Sequence, residues 1–169
     1  MAIVKVKAST EYEVLVEEGL LDRVGSLARK LLPGKTAALI TEERVNALYG
    51  DRVERNLAEA GFTVFRLVLP EGEQTKCLTR LGEVLEFLAS HKLTRTDGVF
   101  ALGGGVIGDL AGFASAVYLR GIRYVQIPTT LLAAVDSSVG GKTSINLQNG
   151  KNLAGAIWQP SLVICDCNT

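Results

Sequence analysis

Four segments place bare backbone or polar side chains at spacings that suit phosphate chemistry. Gly103, Gly104, Gly105, Val106, Ile107 and Gly108 satisfy G-x-G-x-x-G, between an apolar run of strand length and a helical pattern. In that context bare glycines let the backbone approach a pyrophosphate, and the helix N-terminus supplies free N–H groups and a positive dipole end. The competing explanation is a tight turn with close helix packing. Two details depart from the usual dinucleotide fingerprint. The run falls in the middle of the chain, and the next strand closes on Pro128 and Thr129, not on an acid. A ribose-binding carboxylate must then come from elsewhere, and Glu42, just past a strand ending at Ile40, is the candidate. A solvated place beside a helix N-cap explains Glu42 equally well.

The second segment, Asp136 to Thr143, resembles G-x-x-x-x-G-K-[ST], but Asp136 holds the first glycine position. It follows Leu131 to Val135, which reads as a helical turn and not a strand. A carboxylate there repels the phosphate that such a loop cradles, so an NTPase loop is rejected. Anion binding by Lys142 with Gly140 and Gly141 survives. The third, Gly150-Lys151-Asn152, reads alone as a solvated loop, yet a lysine beside an amide suits a phosphate or a polyhydroxylated ligand. The fourth, Pro70 to Lys76, carries Glu71, Gly72, Glu73, Gln74 and Thr75 at a strand's end. Its glutamates can accept from ribose hydroxyls and Lys76 can reach a phosphate. The plainer alternative is a helix entry, where acids are favoured.

These segments need elements to hold them. Ile3 to Lys7 and Tyr12 to Val16 alternate as a strand pair, and Leu20 to Leu31 recurs at helical spacing. Thr36 to Ile40 is a strand, Val45 to Ala60 a helix capped by Gly61, Phe62 to Leu69 a strand, and Leu78 to Leu88 a helix. Gly98 to Leu102, a helix from Val106 to Val117, Tyr124 to Ile127 and Leu162 to Cys165 complete the pattern. Short strands, apolar on both faces and alternating with helices, specify an α/β fold: a doubly wound, mostly parallel sheet with helices on both faces. Such sheets bind ligands at the carboxyl ends of their strands.

Composition narrows the class. The 169 residues are 47% hydrophobic and 21% charged, which excludes a disordered tail and a coiled coil. Lys and Arg (18) balance Asp and Glu (18), so no positive field exists to hold nucleic acid or an anionic membrane. No run of about 18 apolar residues is present. The N-terminus alternates where a signal peptide would build an apolar block, which implies a cytoplasmic protein. Cys165 and Cys167 are expected to share one face of a buried strand, reduced, with Cys77 a third isolated thiol.

The stretches Glu71–Lys76, Gly103–Gly112, Tyr118–Gly121, Gln126–Thr143, Gly150–Gln159 and Val163–Asp166 together resemble the 3-dehydroquinate synthase family. The resemblance runs over essentially the whole chain but matches only the family's N-terminal, NAD-binding half. It implies a Rossmann-like domain over residues 1–169, with a helical C-terminal domain outside this chain. It implies a sugar-phosphate substrate, 3-deoxy-D-arabino-heptulosonate 7-phosphate, converted to 3-dehydroquinate and phosphate. NAD oxidises a ring hydroxyl, phosphate leaves, and NADH reduces the ketone before the ring opens and recloses.

By the same resemblance, Glu71 to Lys76 contact NAD, Gly104, Gly105, Val106, Ile107 and Gly108 hold its pyrophosphate, and Asp109 lies near the nicotinamide. Thr129 and Thr130 form a second cofactor loop and Thr169 begins a third. Asp136, Lys142, Lys151, Asn152 and Arg120 match substrate-site positions, the two lysines also touching the cofactor. A zinc or cobalt ion belongs to the family, but the single histidine, His91, stands away from every motif, so no metal ligand is expected in this chain. A homodimer is implied, as is an isolated chain that binds NAD without turnover. The alternatives are another sugar-phosphate cyclase, a metal-dependent polyol or iron-type alcohol dehydrogenase, or a non-catalytic dinucleotide-binding module.

Overall fold

The computed structural model describes all 169 residues. Nine strands form two sheets. The larger comprises β1 (Ala2–Lys7), β2 (Glu11–Glu17), β3 (Thr36–Glu42), β4 (Thr63–Leu69), β5 (Gly98–Gly103), β6 (Arg123–Pro128) and β9 (Leu162–Asp166), in the order β1-β2-β9-β6-β5-β3-β4. Every neighbouring pair is parallel except β1 with β2, a hairpin at one edge. The expected α/β architecture is therefore present.

Helices cover both faces because alternate residues of each buried strand need separate cores. On one face, α1 (Val24–Arg29) and α3 (Asp51–Glu59) bring Val24, Leu27, Val53 and Leu57 onto Leu39, Phe100, Leu102 and Ile164. On the other, α4 (Leu78–Ser90) and α5 (Gly105–Val117) bring Leu81, Val84, Leu88 and Leu110 onto Ala38, Ile40, Val99 and Tyr124. Each such fully buried Leu or Ile contributes roughly 2 kcal/mol relative to an exposed one. The helix expected from Val45 to Ala60 is subdivided. A short α2 (Glu43–Val45) passes through a π turn (Asn46–Gly50) into α3, which Gly61 ends at φ +86°.

The chain's two ends meet at β2 and β9. Asp166 lies buried at the end of β9, where its carboxylate accepts from the N–H groups of Gly19 and Leu21 at 2.9 Å each. It thereby caps the 3₁₀ turn Leu20–Arg23 from the opposite end of the sequence. Cys167 falls past this strand and is exposed, whereas Cys165 is buried. The two thiols therefore do not share a buried face, because the strand stops at the residue that turns inward to cap.

A second departure matters more for function. Lys142 to Ile157 is neither loop nor isolated apolar run but an antiparallel hairpin of β7 (Lys142–Leu147) and β8 (Gly150–Ile157), a sheet of its own. It packs against α5, and its Ile145 joins the same core as Leu110 of that helix and Tyr124 of β6. A Cβ at Gly112 would stand 2.5 Å from Thr143 Cγ2, and one at Gly108 would stand 2.4 Å from Gln126 Oε1. The two glycines, one turn apart, thin the same face of α5. Trp158 pins the hairpin's far end, its indole N–H donating to Ile122 O at 3.0 Å.

Gly112→Ala tests this seating. Helix propensity alone favours alanine by about 1 kcal/mol. Thr143 is buried and its hydroxyl donates to Ala156 O at 2.8 Å, so it cannot rotate away freely. Overpacking should therefore prevail, with a net loss of about 1–2 kcal/mol and a melting midpoint lower by several degrees. A midpoint that rises would show that the hairpin does not sit this close.

Candidate functional site

The switch point of the sheet lies between β3 and β5. From β3 the chain moves outward to β4, then returns past β3 to β5 and on to β6. Open α/β sheets bind ligands in the crevice beyond the carboxyl ends at such a point. Here a cleft of about 590 Å³ is walled by Glu42 at the end of β3, Glu71 and Gly72 after β4, Gly104 to Ile107 at the start of α5, and Thr129 and Thr130 after β6.

The glycine run divides between packing and ligand approach. Cβ atoms at Gly103 and Gly108 would strike Ile107 and Gln126, so these two serve close packing. Gly104 and Gly105 face the cleft, where a Cβ would crowd Thr130 at 3.2 Å or Ser137 Oγ at 3.0 Å. No side chain caps α5, and its first intrahelical bond runs from Gly108 N–H to Gly104 O at 3.0 Å. The N–H groups of Gly105, Val106 and Ile107 thus remain for an anion. Thr129 Oγ is buried without a partner at the same wall. An orphaned hydroxyl, free N–H groups and a missing Cβ are what a dinucleotide's phosphates and ribose require.

Glu42 proves to be a cleft residue and a helix cap together. Its two carboxylate oxygens accept from Arg44 N–H and Val45 N–H at 2.9 Å each, which fixes the carboxylate on the wall where a ribose would lie.

A second pocket, about 490 Å³, opens between α5, the π turn Ala133–Ser137 and the hairpin. Asp109, Asp136, Ser137, Lys142, Ser144 and Asn152 line it. The segment Asp136 to Thr143 runs from that π turn into strand β7, through Gly140 and Gly141 at φ +95° and +70°. No strand precedes it and no helix follows, so the NTPase loop is excluded by geometry as well as by charge.

Lys76 lies behind the second pocket, bonded to two of its lining residues. Its ammonium bonds the Asp109 carboxylate and, at 2.6 Å, Asn152 Oδ1, with the side chain only 7% exposed. The expected phosphate-seeking lysine is thus held on protein partners. Burial pushes the Asp109 carboxyl above the usual carboxylate range despite the opposing pull of Lys76. Glu73 lies below it, chiefly through the hydrogen bond from Asn146 Nδ2 at 2.7 Å and secondarily through Lys151 and Lys76. Lys151 is exposed, 3.7 Å from Glu73.

The remaining predicted residues are placed less centrally. Thr75 is buried and donates to Pro70 O at 2.6 Å, while Gln74 donates to Glu71 O at 2.8 Å, so both shape their own loop. Thr169 donates to Asp166 O at 2.9 Å beside the end of β6. Arg120 stands apart, beyond the C-terminal end of α5, in a left-handed turn with Leu119 (φ 51° and 61°), and lines neither cavity. Ser144 and Asn146 escaped sequence reasoning. Their signal is the alternation Lys142-Ser144-Asn146 along one face of β7, visible once the hairpin is recognised. His91 lies between Phe65 and Phe87, ring centroids 4.0 and 4.4 Å away, and no three His, Cys, Asp or Glu side chains converge as metal donors.

A profile of the 3-dehydroquinate synthase N-terminal family matches residues 66–169, the stretch that holds the second pocket and every cleft residue after β4. The chain belongs to that family. It is 49% identical over 158 residues to the 3-dehydroquinate synthase of Enterococcus faecalis, covering 94% of this chain and 44% of that protein. The crystal structure of a 2-deoxy-scyllo-inosose synthase with carbaglucose-6-phosphate, NAD+ and Co2+ superposes with a TM-score of 0.89 at 28% identity, covering 98% of this chain and 46% of the other. A 2-epi-5-epi-valiolone synthase from Streptomyces hygroscopicus, with NAD+ and Zn2+ bound, gives 0.83 at 30% identity, over 96% and 45%. The chain thus spans less than half the length of the relatives it matches.

Lys76 offers a direct test of how the Pro70–Lys76 loop is joined to the second pocket. Lys76→Met leaves Asp109 buried without its cation and should cost roughly 3 kcal/mol of unfolding free energy. Adding Asp109→Asn should return part of that loss, since the stranded charge is then gone. Urea denaturation of the two variants measures both terms; a double variant less stable than K76M would show that the pair does not interact as drawn.

Proposed function

We propose that this chain is the cofactor-binding domain of a 3-dehydroquinate synthase, spanning residues 1–169, with a helical domain completing the enzyme. The reaction is conversion of 3-deoxy-D-arabino-heptulosonate 7-phosphate to 3-dehydroquinate and phosphate. The observation that carries this reading is the uncapped N-terminus of α5, bared by Gly104 and Gly105 at the sheet's switch point and adjoining a polar pocket that holds Lys142 and Asn152.

Bound NAD supplies reversible oxidation of a ring hydroxyl. The chain's own residues bind and orient. The N–H groups of Gly105, Val106 and Ile107 receive the pyrophosphate, Glu42 accepts from a ribose hydroxyl, and Thr129 Oγ fills its vacant hydrogen bond on the cofactor. Lys142, at the start of β7, meets the phosphate or carboxylate end of the substrate, and the Asn152 amide meets a hydroxyl. Asp109, held by Lys76 where the pocket approaches the cofactor cleft, keeps that junction polar and its proton affinity high. The family's metal finds no donor set among these residues, so its ligands are assigned to the helical domain and no step is built on it here.

The relatives' names support a phosphate-bearing cyclic substrate. Identity of 49% to a 3-dehydroquinate synthase, against 28% to a 2-deoxy-scyllo-inosose synthase, favours the first reaction over its cyclase cousins. A polyol dehydrogenase needs no cation such as Lys142 in its substrate pocket. A homodimer in the cytoplasm is part of the same proposal; no helix here is long and apolar enough to cross a membrane.

Calorimetric titration of this chain with NAD, and separately with ATP, tests the cofactor reading. NAD should saturate a single site while ATP shows no matching isotherm; equal affinity for both would sink the dinucleotide assignment. In the whole polypeptide, Lys142→Ala should lower kcat/KM for the phosphate ester by about 100-fold, of the order of a lost charged hydrogen bond, with NAD affinity held within about twofold. Equal losses in both quantities would remove Lys142 from the substrate subsite.

A further inference from the structure

Asn146 has no place in the chemistry above, yet it touches three residues of the segments that do. Its backbone N–H donates to Lys76 O at 2.8 Å, its side-chain NH₂ donates to Glu73 Oε1 at 2.7 Å, and its Oδ1 accepts from Asn152 N–H at 2.9 Å. One planar carboxamide joins the Pro70–Lys76 loop to the hairpin.

The strand register shows why it is needed there. Ile145 opposes Ala154 while Leu147 opposes Gly150, so Lys151, Asn152 and Leu153 bulge against Asn146 alone. Bulges of this kind re-aim side chains. Asn152 takes a left-handed conformation, φ 57°, and its N–H has left the ladder. Asn146 Oδ1 supplies the acceptor that the ladder no longer provides. So held, Asn152 sends its own Oδ1 to Lys76 Nζ at 2.6 Å and Ser144 Oγ at 3.0 Å. The other end of the Asn146 amide fixes Glu73 near Lys151.

We infer that Asn146 is a positioning residue: its carboxamide stabilises the bulge that aims Asn152 into the second pocket and orients Glu73 toward Lys151. Its effect on turnover rests on the function proposed for that pocket. Asparagine suits the place because one group must accept on one side and donate on the other. Aspartate keeps the acceptor but sets a carboxylate against Glu73. The charged or titratable groups facing this point are Glu73 and Lys76 of the loop, Lys151 of β8, Asp109 of α5 and Cys77 at the start of α4.

The test compares Asn146→Ala and Asn146→Asp in the whole polypeptide. N146A should lower kcat/KM for the sugar phosphate by about 10- to 100-fold, a shift typical of lost alignment, with NAD affinity unchanged within about twofold. N146D should fall below N146A at pH 8 and approach it as pH drops toward about 5, where the facing carboxylates begin to share protons. If N146A does not fold, Asn146→Gln, which displaces the same groups by one methylene, carries the same expectation. Unchanged turnover in a folded variant, or identical pH profiles for N146A and N146D, overturns the role. If the wild-type protein turns over no sugar phosphate, the functional reading fails separately. Hydrogen exchange at Asn152 N–H then decides, since loss of its protection in N146A sustains the positioning role and unchanged protection ends it.

Discussion

Against the central sheet and the β7–β8 hairpin, α5 has room for no side chain at Gly108 or Gly112. That confinement sets the geometry of both cavities. A helix thinned along one face brings Gln126 of β6 and Thr143 of β7 within contact of one backbone, so the hairpin packs beside the sheet at the first turns of α5. The same helix begins at Gly105 with no capping side chain, so its unused N–H groups face the switch-point cleft. Glycine here serves less for backbone freedom than for the absence of Cβ, and the density of glycine after residue 100 records a packing constraint as much as a ligand.

The second constraint is electrostatic. Burying an ammonium costs several kcal/mol unless bonded partners compensate. Lys76 meets that requirement with Asp109 of α5 and Asn152 of β8, which come from elements 33 and 76 residues away. Because both partners also line the second pocket, the loop that walls the cofactor cleft through Glu71 and Gly72 also sets the pocket's floor. Asp109 remains high in proton affinity because burial outweighs its neighbour, and Glu73 stays low because an amide and two lysines favour its charge. Two carboxylates at one junction are thereby driven apart in proton affinity by their surroundings.

The legible and illegible parts of the sequence divide along the same line. β5 and α5 are readable because Gly98 to Leu102 is uniformly apolar and the following positions recur at helical spacing; burial and periodicity agree. Glu42 is readable as an acid at a strand's end, but not as a cap whose two oxygens both hold backbone N–H groups. The hairpin is not readable by hydrophobicity, since Leu153 and Ile157 of β8 are 59% and 67% exposed while small Thr143 is buried. Of the hairpin's large apolar residues only Ile145 marks the core. The hairpin's true signature is the polar alternation of β7, which becomes informative only when the inner face is known to rest on a helix. Arg120 is suggested by family resemblance alone, and nothing local connects its turn beyond the C-terminal end of α5 with the pocket beside that helix's first turns.

The two cavities therefore differ in what determines them. The cofactor cleft is built mainly of backbone, namely a helix N-terminus, two glycines and strand ends, and so depends on the fold more than on particular side chains. The second pocket is built of side chains, Lys142, Ser144 and Asn152 among them, on a hairpin attached to the domain through α5, Trp158 and the Lys76 and Asn146 bonds. A backbone site tolerates sequence change as long as the sheet persists. A side-chain site changes its ligand whenever the hairpin's outward face changes. Neighbours at 28–30% identity that share the sheet and have NAD+ bound while carrying different names fit that division. On the proposed assignment of the second pocket to the substrate, a change of substrate falls on the alternating positions of β7 and on the bulge opposite Asn146, and leaves α5 and its glycines in place.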